Sequence, residues 1–202
     1  MTTKRYDREY FERWYRDPRT RIHLRATVER KVRLAVHAAE YLLQRPVRSV
    51  LDVGCGEAPW QPILARVRPG VRYAGVDSSE YAVRRFGARR NIRLGTFGEL
   101  GVLGLEGTFD LVVCSDMLHY VPARQLRRGL EALADLTGGV AWIEVFTRSD
   151  SIGGDFRGMM RRSPAFYDRL FRQAGLVHCG LYCYVPEDFH LRFGLTTYER
   201  GR

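Results

Sequence analysis

Residues 50–59 read Val50-Leu51-Asp52-Val53-Gly54-Cys55-Gly56-Glu57-Ala58-Pro59. An apolar run ends in two glycines one residue apart, and a proline follows where a helix begins. Gly54 and Gly56 accept backbone angles and approach distances that a Cβ would block. The helix start beyond them offers unpaired N–H groups to a ligand. Such a turn is either a structural strand-to-helix connection or a cradle for a nucleotide-like group. The dinucleotide fingerprint G-x-G-x-x-G breaks at its third glycine, where Pro59 stands. Asp52, inside the strand end, needs a partner if it is buried. The ammonium of a bound amino acid or a neighbouring loop N–H would supply one.

Outward from this turn, short apolar strands alternate with amphipathic helices. The strands are expected at Ser49–Val53, Arg72–Val76, Ile92–Leu94, Phe109–Cys114 and Val140–Phe146. A helix from about Arg25 to Gln44 carries Val28, Val32, Ala35, Val36, Ala39, Leu42 and Leu43 on one face and ends before Pro46. Further helices are expected to start near Pro59, Ser79, Ala123 and Ser163. Strands that are apolar throughout and separated by helices imply a parallel sheet covered on both faces. Two last strands, at about Val177–Tyr184 and His190–Tyr198, flank a connection around Pro186-Glu187-Asp188. It is too short for a crossover, so this pair is expected to be antiparallel. The expectation is a doubly wound α/β sheet, seven-stranded and mostly parallel, with an antiparallel last strand. A closing hairpin in place of a second nucleotide-binding half also argues against a dinucleotide enzyme.

Leu51-Asp52-Val53-Gly54-Cys55-Gly56 resembles the first motif of class I S-adenosylmethionine-dependent methyltransferases, and the resemblance runs from about Arg25 to Tyr198. Gly75-Val76-Asp77 is similar to the family's second motif. Asp77 follows the glycine turn by about 20 residues, the spacing at which a carboxylate accepts from ribose hydroxyls. Phe109-Asp110-Leu111-Val112-Val113-Cys114 is similar to the fourth-strand motif, and Ala174-Gly175-Leu176 fits the approach to the sixth strand. The resemblance implies S-adenosyl-L-methionine as cofactor, and with a length that favours one domain the expectation is a single methyltransferase domain over residues 1–202. The resemblance also implies cofactor contacts at Asp52, Gly54, Cys55, Gly56, Asp77, Ser78, Thr96, Phe97, Cys114 and Ser115. The sequence departs from the family at three points. Ala58 replaces a third glycine, and Ser78 replaces an apolar residue against the adenine. Gly95-Thr96-Phe97-Gly98 lacks the acidic residue for the adenine amino group, leaving Thr96 to accept that hydrogen bond and Phe97 to lie on the purine.

A sulfonium methyl is already electrophilic, so alignment of the acceptor suffices unless the acceptor must lose a proton during attack. Three residues are candidates for catalysis. His119, in Cys114-Ser115-Asp116-Met117-Leu118-His119-Tyr120, is a base that titrates near neutrality or a helix cap. Asp116 is a loop cap or a second acid–base group. Glu144 interrupts the apolar strand Ala141-Trp142-Ile143-Glu144-Val145-Phe146 and must face the cleft or a buried partner, with Trp142 and Phe146 on its face. Residues 1–24 carry Tyr6, Tyr10, Phe11, Trp14 and Tyr15 at helical spacing. They are expected to cap the cleft, with Tyr10, Trp14 and Tyr15 nearest the cofactor, the alternative being a surface helix. Residues 147–164 hold Gly153-Gly154, Gly158 and Met159-Met160, which suits a lid over a partly apolar substrate. Arg157, Arg161 and Arg162 there suit an anionic group, or are simply solvated. No metal is expected, since only Asp116 and Glu144 offer carboxylates near the acceptor.

The 202 residues, 45% of them hydrophobic, suffice for one sizeable core. No apolar run approaches the ~20 residues of a membrane span, and residues 1–16 lack a signal-like apolar stretch. The chain is expected in the cytoplasm. Cys55, Cys114, Cys179 and Cys183 read as reduced thiols. Cys179 and Cys183, four apart on one extended strand, would stand about 13 Å apart. Net charge is +10, and of 33 basic residues only Lys4 and Lys31 are lysines. The arginines are spread along the chain rather than massed in a tail. They fit a small acceptor, anionic or aromatic, better than nucleic acid, and no membrane. The leading reading is therefore methyl transfer to a small molecule. The alternatives are an RNA or protein methyltransferase and a non-catalytic S-adenosylmethionine-binding module.

Overall fold

The structure, a computed structural model, describes residues 4–22 and 24–189. Seven strands form one sheet: β1 (Ser49–Val53), β2 (Arg72–Asp77), β3 (Ile92–Leu94), β4 (Phe109–Ser115), β5 (Thr137–Glu144), β6 (Leu176–Gly180) and β7 (Cys183–Pro186). Their order across the sheet is β3-β2-β1-β4-β5-β7-β6. The first five strands pair in parallel, whereas β7 runs antiparallel to both β5 and β6. All five residues of β1 are buried, as the centre of a two-sided sheet requires. From β1 the chain winds outward to β3 and then returns to β4 on the other flank. The reversal leaves a crevice at the carboxyl ends of β1 and β4, where open α/β sheets take ligands.

Two apolar layers hold this arrangement. On one face α2 (Arg25–Leu43) and α3 (Gln61–Val67) close over Val50, Leu111, Val113 and Trp142. On the other, α5 (Ala123–Leu136) and α6 (Pro164–Gln173) cover Leu51, Val53, Val112 and Ile143. In α5 the inward side chains Leu126, Leu130 and Leu133 are completely or almost completely buried. At ~2 kcal/mol per buried leucine they dock the helix more firmly than its propensities do. Ser79 caps α4 (Glu80–Arg90) by accepting from Ala82 N–H, and Ser163 caps α6 by accepting from Phe166 N–H. The helix after the glycine turn starts at Gln61, two residues beyond Pro59, with Pro62 in its first turn.

The C-terminal hairpin differs from the sequence expectation. The stretch expected as one strand, Val177–Tyr184, is bent into β6 and β7 at Leu181-Tyr182. Both turn residues take left-handed angles (φ 48° and 64°), the geometry of a two-residue hairpin turn normally given to Asn or Gly. Without those residues nothing in the sequence marks the turn. The hairpin also overturns the Cys179–Cys183 spacing: the two lie on neighbouring strands near the Gly180–Cys183 pair, not along one strand. Both are free thiols. The second expected strand, His190–Tyr198, lies outside the described residues.

The N-terminal segment starts with α1 (Arg8–Phe11), capped by Asp7, and widens into a π-helical turn over Glu12–Arg16. Phe11 stacks on Tyr81 and meets Tyr15 edge to face. Residues 145–163 form no helix or strand, yet they are tied down. Met160 N–H donates to His119 O (2.8 Å), Arg148 N–H donates to Arg162 O (2.8 Å), and Arg162 Nη2 donates to Val121 O (2.7 Å).

Candidate functional site

The glycine turn is fastened to the end of β2. Gly54 and Cys55 donate their N–H groups to Val76 O at 2.8 and 3.2 Å, and Gly56 N–H donates to Asp77 Oδ2 at 2.7 Å. Gly54 (φ 71°) and Gly56 (φ 56°) are left-handed. A Cβ on Gly54 would stand 2.7 Å from Met117 Cγ, and one on Gly56 would stand 2.8 Å from Tyr15 Oη. Both glycines are thus required by angle and by space. Ala58 is left-handed as well (φ 54°), which costs an alanine about 1–2 kcal/mol and accounts for the glycine that the resembled family carries there.

A cleft of about 190 Å³ opens over this turn. Of the sequence candidates, Gly54, Gly56, Asp77, Ser78, Thr96, Phe97, Ser115, Asp116, Tyr10 and Tyr15 line it. Asp77 is buried, and burial pushes its pKa up against two backbone donors, Gly56 N–H and Ser79 N–H (2.8 Å). Each carboxylate oxygen so held keeps a lone pair for a ligand hydroxyl. Thr96 closes a capping box with Glu99, its hydroxyl donating to Glu99 Oε2 at 2.7 Å.

The other candidates lie behind the wall. Asp52 does not face the cleft: it accepts from Tyr73 Oη at 2.9 Å, the partner its burial demanded, and burial pushes its pKa up to about 7. Cys55 is buried, its Sγ facing Gly75, and Cys114 is buried among apolar side chains. Trp14, in the π-helical turn, is not among the cleft's lining, and the Arg13 guanidinium lies 5.1 Å from its ring. Trp142 packs in the core.

His119 and Glu144 also differ from expectation. The imidazole is 1% exposed, wedged between Tyr120 and Phe146, and its Nδ1 has no hydrogen-bond partner. Burial, then the Lys4 and Arg162 charges, push its pKa down to about 4. It is neither a near-neutral base on the cleft wall nor a helix cap, since α5 has no side-chain cap. Glu144 is held by Lys31 of α2 at 2.5 Å and by the Ser115 hydroxyl at 2.6 Å. It is therefore a paired carboxylate behind the cleft and not a lining one. Asp116 does line the cleft. Its backbone is left-handed (φ 61°), and burial, then Glu144, raise its pKa to about 7 while Lys31 and Lys4 pull it down. Arg162 is consumed structurally by the carbonyls of Leu118 and Val121 and by the Tyr167 hydroxyl. It is not free for an anionic ligand.

The cleft also takes residues not singled out as cofactor or catalytic candidates. Tyr6 belongs to the same aromatic stripe as Tyr10, a legible signal. Met117 lies over Gly54, and Tyr120 follows His119. Ile22 and Gln125 also stand in the wall, with no signal of their own. The lining includes six aromatic and two acidic residues, and among the described residues it holds no arginine or lysine.

A family model described as a methyltransferase domain matches residues 7–191. The trans-aconitate 2-methyltransferase of Deinococcus radiodurans is 32% identical over 111 residues, covering 53% of this chain and 41% of that protein. The chain thus matches about two fifths of the length of this relative. Among solved structures, a SAM-dependent methyltransferase from Archaeoglobus fulgidus superposes with a TM-score of 0.60 at 17% identity, covering 83% of this chain and 73% of that one. The magnesium protoporphyrin IX methyltransferase of Synechocystis PCC 6803, with bound SAH, gives 0.61 at 18% identity, covering 89% and 92%. At these identities the two structures share the fold.

Proposed function

The chain belongs to the methyltransferase-domain family, whose cofactor is S-adenosylmethionine, and from that premise we propose that it methylates a small-molecule acceptor. The observation that carries the reading is the cleft itself. A ligand-sized space lies over two obligatory glycines, with the Asp77 carboxylate beside them. These residues fit the cofactor. The Gly54–Gly56 cradle admits close approach of the amino-acid part, Asp77 keeps lone pairs for ribose hydroxyls, and Thr96 and Phe97 offer an edge and a ring to the adenine. S-adenosylmethionine, when bound, supplies an electrophilic methyl group. The tasks left to the chain are to orient the acceptor, to exclude water under the N-terminal aromatic cap, and to hold a proton where the acceptor releases one. Asp116 is the lining group suited to the last task, with a pKa of about 7.

Tyr6, Tyr10, Phe11, Tyr15 and Ile22 of the N-terminal segment line the cleft and support its reading as a cap, whereas no residue of 147–164 is among the lining. A small acceptor is favoured over a polyanionic one because, among the described residues, no arginine or lysine lines the cleft, and several arginines are paired with carboxylates elsewhere. Arg16 pairs with Glu57, Arg33 with Glu29, Arg45 with Asp110, and Arg68 with Glu40. Calorimetric titration with S-adenosylhomocysteine tests the cofactor half, with saturable binding expected at about 1 μM–1 mM. Mass spectrometry of a small-metabolite pool, read for the gain of one methyl, tests the acceptor half. Methylation confined to RNA or protein would refute the small-molecule reading.

A further inference from the structure

At one end of the cleft the chain seats its own ammonium group in a ring of tyrosines. Lys4 Nζ stands 3.4 Å from the ring centre of Tyr120 and 5.1 and 5.3 Å from those of Tyr6 and Tyr10. Asp155 Oδ2 lies 3.0 Å away as the ion-pair partner of the buried ammonium, whose other N–H groups meet ring faces rather than acceptors. Stacking a cation against several ring faces is the way proteins bind ammonium groups that carry alkyl substituents.

Lys4 is a poor occupant of this site. A lysine ammonium carries three N–H donors that water would satisfy, and here they are buried. Burial lowers the Lys4 pKa despite Asp155 and Asp116. An alkylated nitrogen has fewer donors to lose, so it keeps the same ring and carboxylate attraction at a smaller desolvation cost. The walls are held by bonds of their own. The Tyr120 hydroxyl donates to Asp155 O, Tyr6 O accepts from the Ser79 hydroxyl, and Tyr6 meets Tyr10 edge to face at 5.0 Å. Tyr6, Tyr10, Tyr120 and Asp116 also line the cleft, so the ring is continuous with it.

Charge points the same way. The only two lysines of this arginine-rich chain both stand here, Lys4 in the ring and Lys31 on Glu144. With the Lys4 side chain withdrawn, this end of the cleft loses the ammonium that the Asp155 and Asp116 carboxylates attract.

We propose that Tyr6, Tyr10 and Tyr120, backed by Asp155 and Asp116, form a cation subsite in which Lys4 is the resident occupant and an alkylammonium group of the acceptor the functional one. The identification of that ligand as the acceptor rests on the methyltransferase reading, whereas the existence of the subsite does not.

The test uses tetramethylammonium chloride as the probe, titrated calorimetrically at ionic strength matched with sodium chloride. Lys4→Met vacates the ring and is expected to bind the probe at least about tenfold more tightly than the wild type. Lys4→Gln provides the same comparison if Lys4→Met does not fold. In the vacated background, Tyr120→Leu is expected to lose at least about tenfold in affinity. Tyr120→Phe, which keeps the ring face and loses only the hydroxyl, should stay within about threefold, with thermal unfolding showing each variant folded. An unchanged affinity on removal of Lys4, or an unchanged affinity in Tyr120→Leu, overturns the subsite. A parallel titration with S-adenosylhomocysteine separates the two readings. Probe binding without nucleoside binding leaves the subsite standing and refutes methyl transfer, and the converse refutes the subsite alone.

Discussion

Replacing Asp52 by asparagine should make the protein's stability less sensitive to pH, by an amount the structure sets. Asp52 is buried on the central strand with one hydrogen-bond donor, Tyr73 Oη, and its pKa stands at about 7 instead of 3.8. Burial is the leading cause, the neighbouring Asp77 charge adds to it, and the tyrosine opposes it. The sign follows from which state holds the proton. Below pH ~4 the carboxyl is protonated in both the folded and unfolded chain. Between pH ~4 and ~7 the unfolded chain ionises while the folded one keeps its proton, so stability falls as pH rises. Above pH ~7 the loss is complete. Three units at about 1.4 kcal/mol each amount to ~4 kcal/mol. Asparagine keeps an oxygen to accept from Tyr73 and has no such ionisation. Its amide N–H groups add a burial cost of about 1–3 kcal/mol that is the same at every pH. The quantity to read is therefore the change with pH, not the offset. Urea unfolding of both proteins at pH 4 and pH 8 should show the stability of Asp52→Asn, relative to wild type, rising by ~4 kcal/mol. For a chain of this size that is roughly 8–16 °C in relative Tm. A difference that stays constant across this range would mean that Asp52 is ionised in the fold at low pH, and the burial argument would fail.

Asp77→Asn should weaken S-adenosylhomocysteine binding by about 1–3 kcal/mol in a calorimetric titration, because a donor replaces one of the acceptors aimed at the ribose. An unchanged Kd removes Asp77 from the cofactor site. The same variant disturbs the bond to Gly56 N–H, so its Tm is measured alongside. Gly56→Ala should abolish or greatly weaken that binding and cost at least ~1–2 kcal/mol in unfolding free energy, since a left-handed alanine there also strikes Tyr15 Oη; wild-type affinity would show that the turn tolerates a Cβ. His119→Gln should keep turnover per folded molecule within about tenfold of wild type, and the pH–rate profile should show no histidine ionisation near 6.5. Because the folded pKa of His119 is depressed to about 4, its contribution to stability is present above the ordinary histidine range. That contribution is lost as pH falls from ~6.5 toward 4, and denaturant titrations at pH 7.5 and 5 will register it in the wild type and not in the variant.

The parallel sheet and the glycine cradle were legible along the chain. Five strands and four long helices announce themselves through apolar runs, helical periodicity and capping residues such as Ser79 and Ser163, all of which act within a few residues of chain. Gly54, Gly56 and Asp77 were legible for the same reason, since a turn and a strand end fix their backbones locally. Which polar side chains face the cleft is settled by packing between distant segments. Asp52 and Asp77 both sit at strand ends beside the glycine turn, but Tyr73 claims one while the cleft claims the other. Glu144 turned away because Lys31, 113 positions earlier, reaches it. Trp14 lies in a π turn that no spacing rule foresees and off the cleft wall, and the bend at Leu181-Tyr182 lacks the Gly or Asn that would have advertised it. The Lys4 ring needs residues 4, 6, 10, 120 and 155 brought together. Local propensity is encoded along the chain, whereas the partner of a buried charge is fixed only when distant segments pack and water is excluded between them.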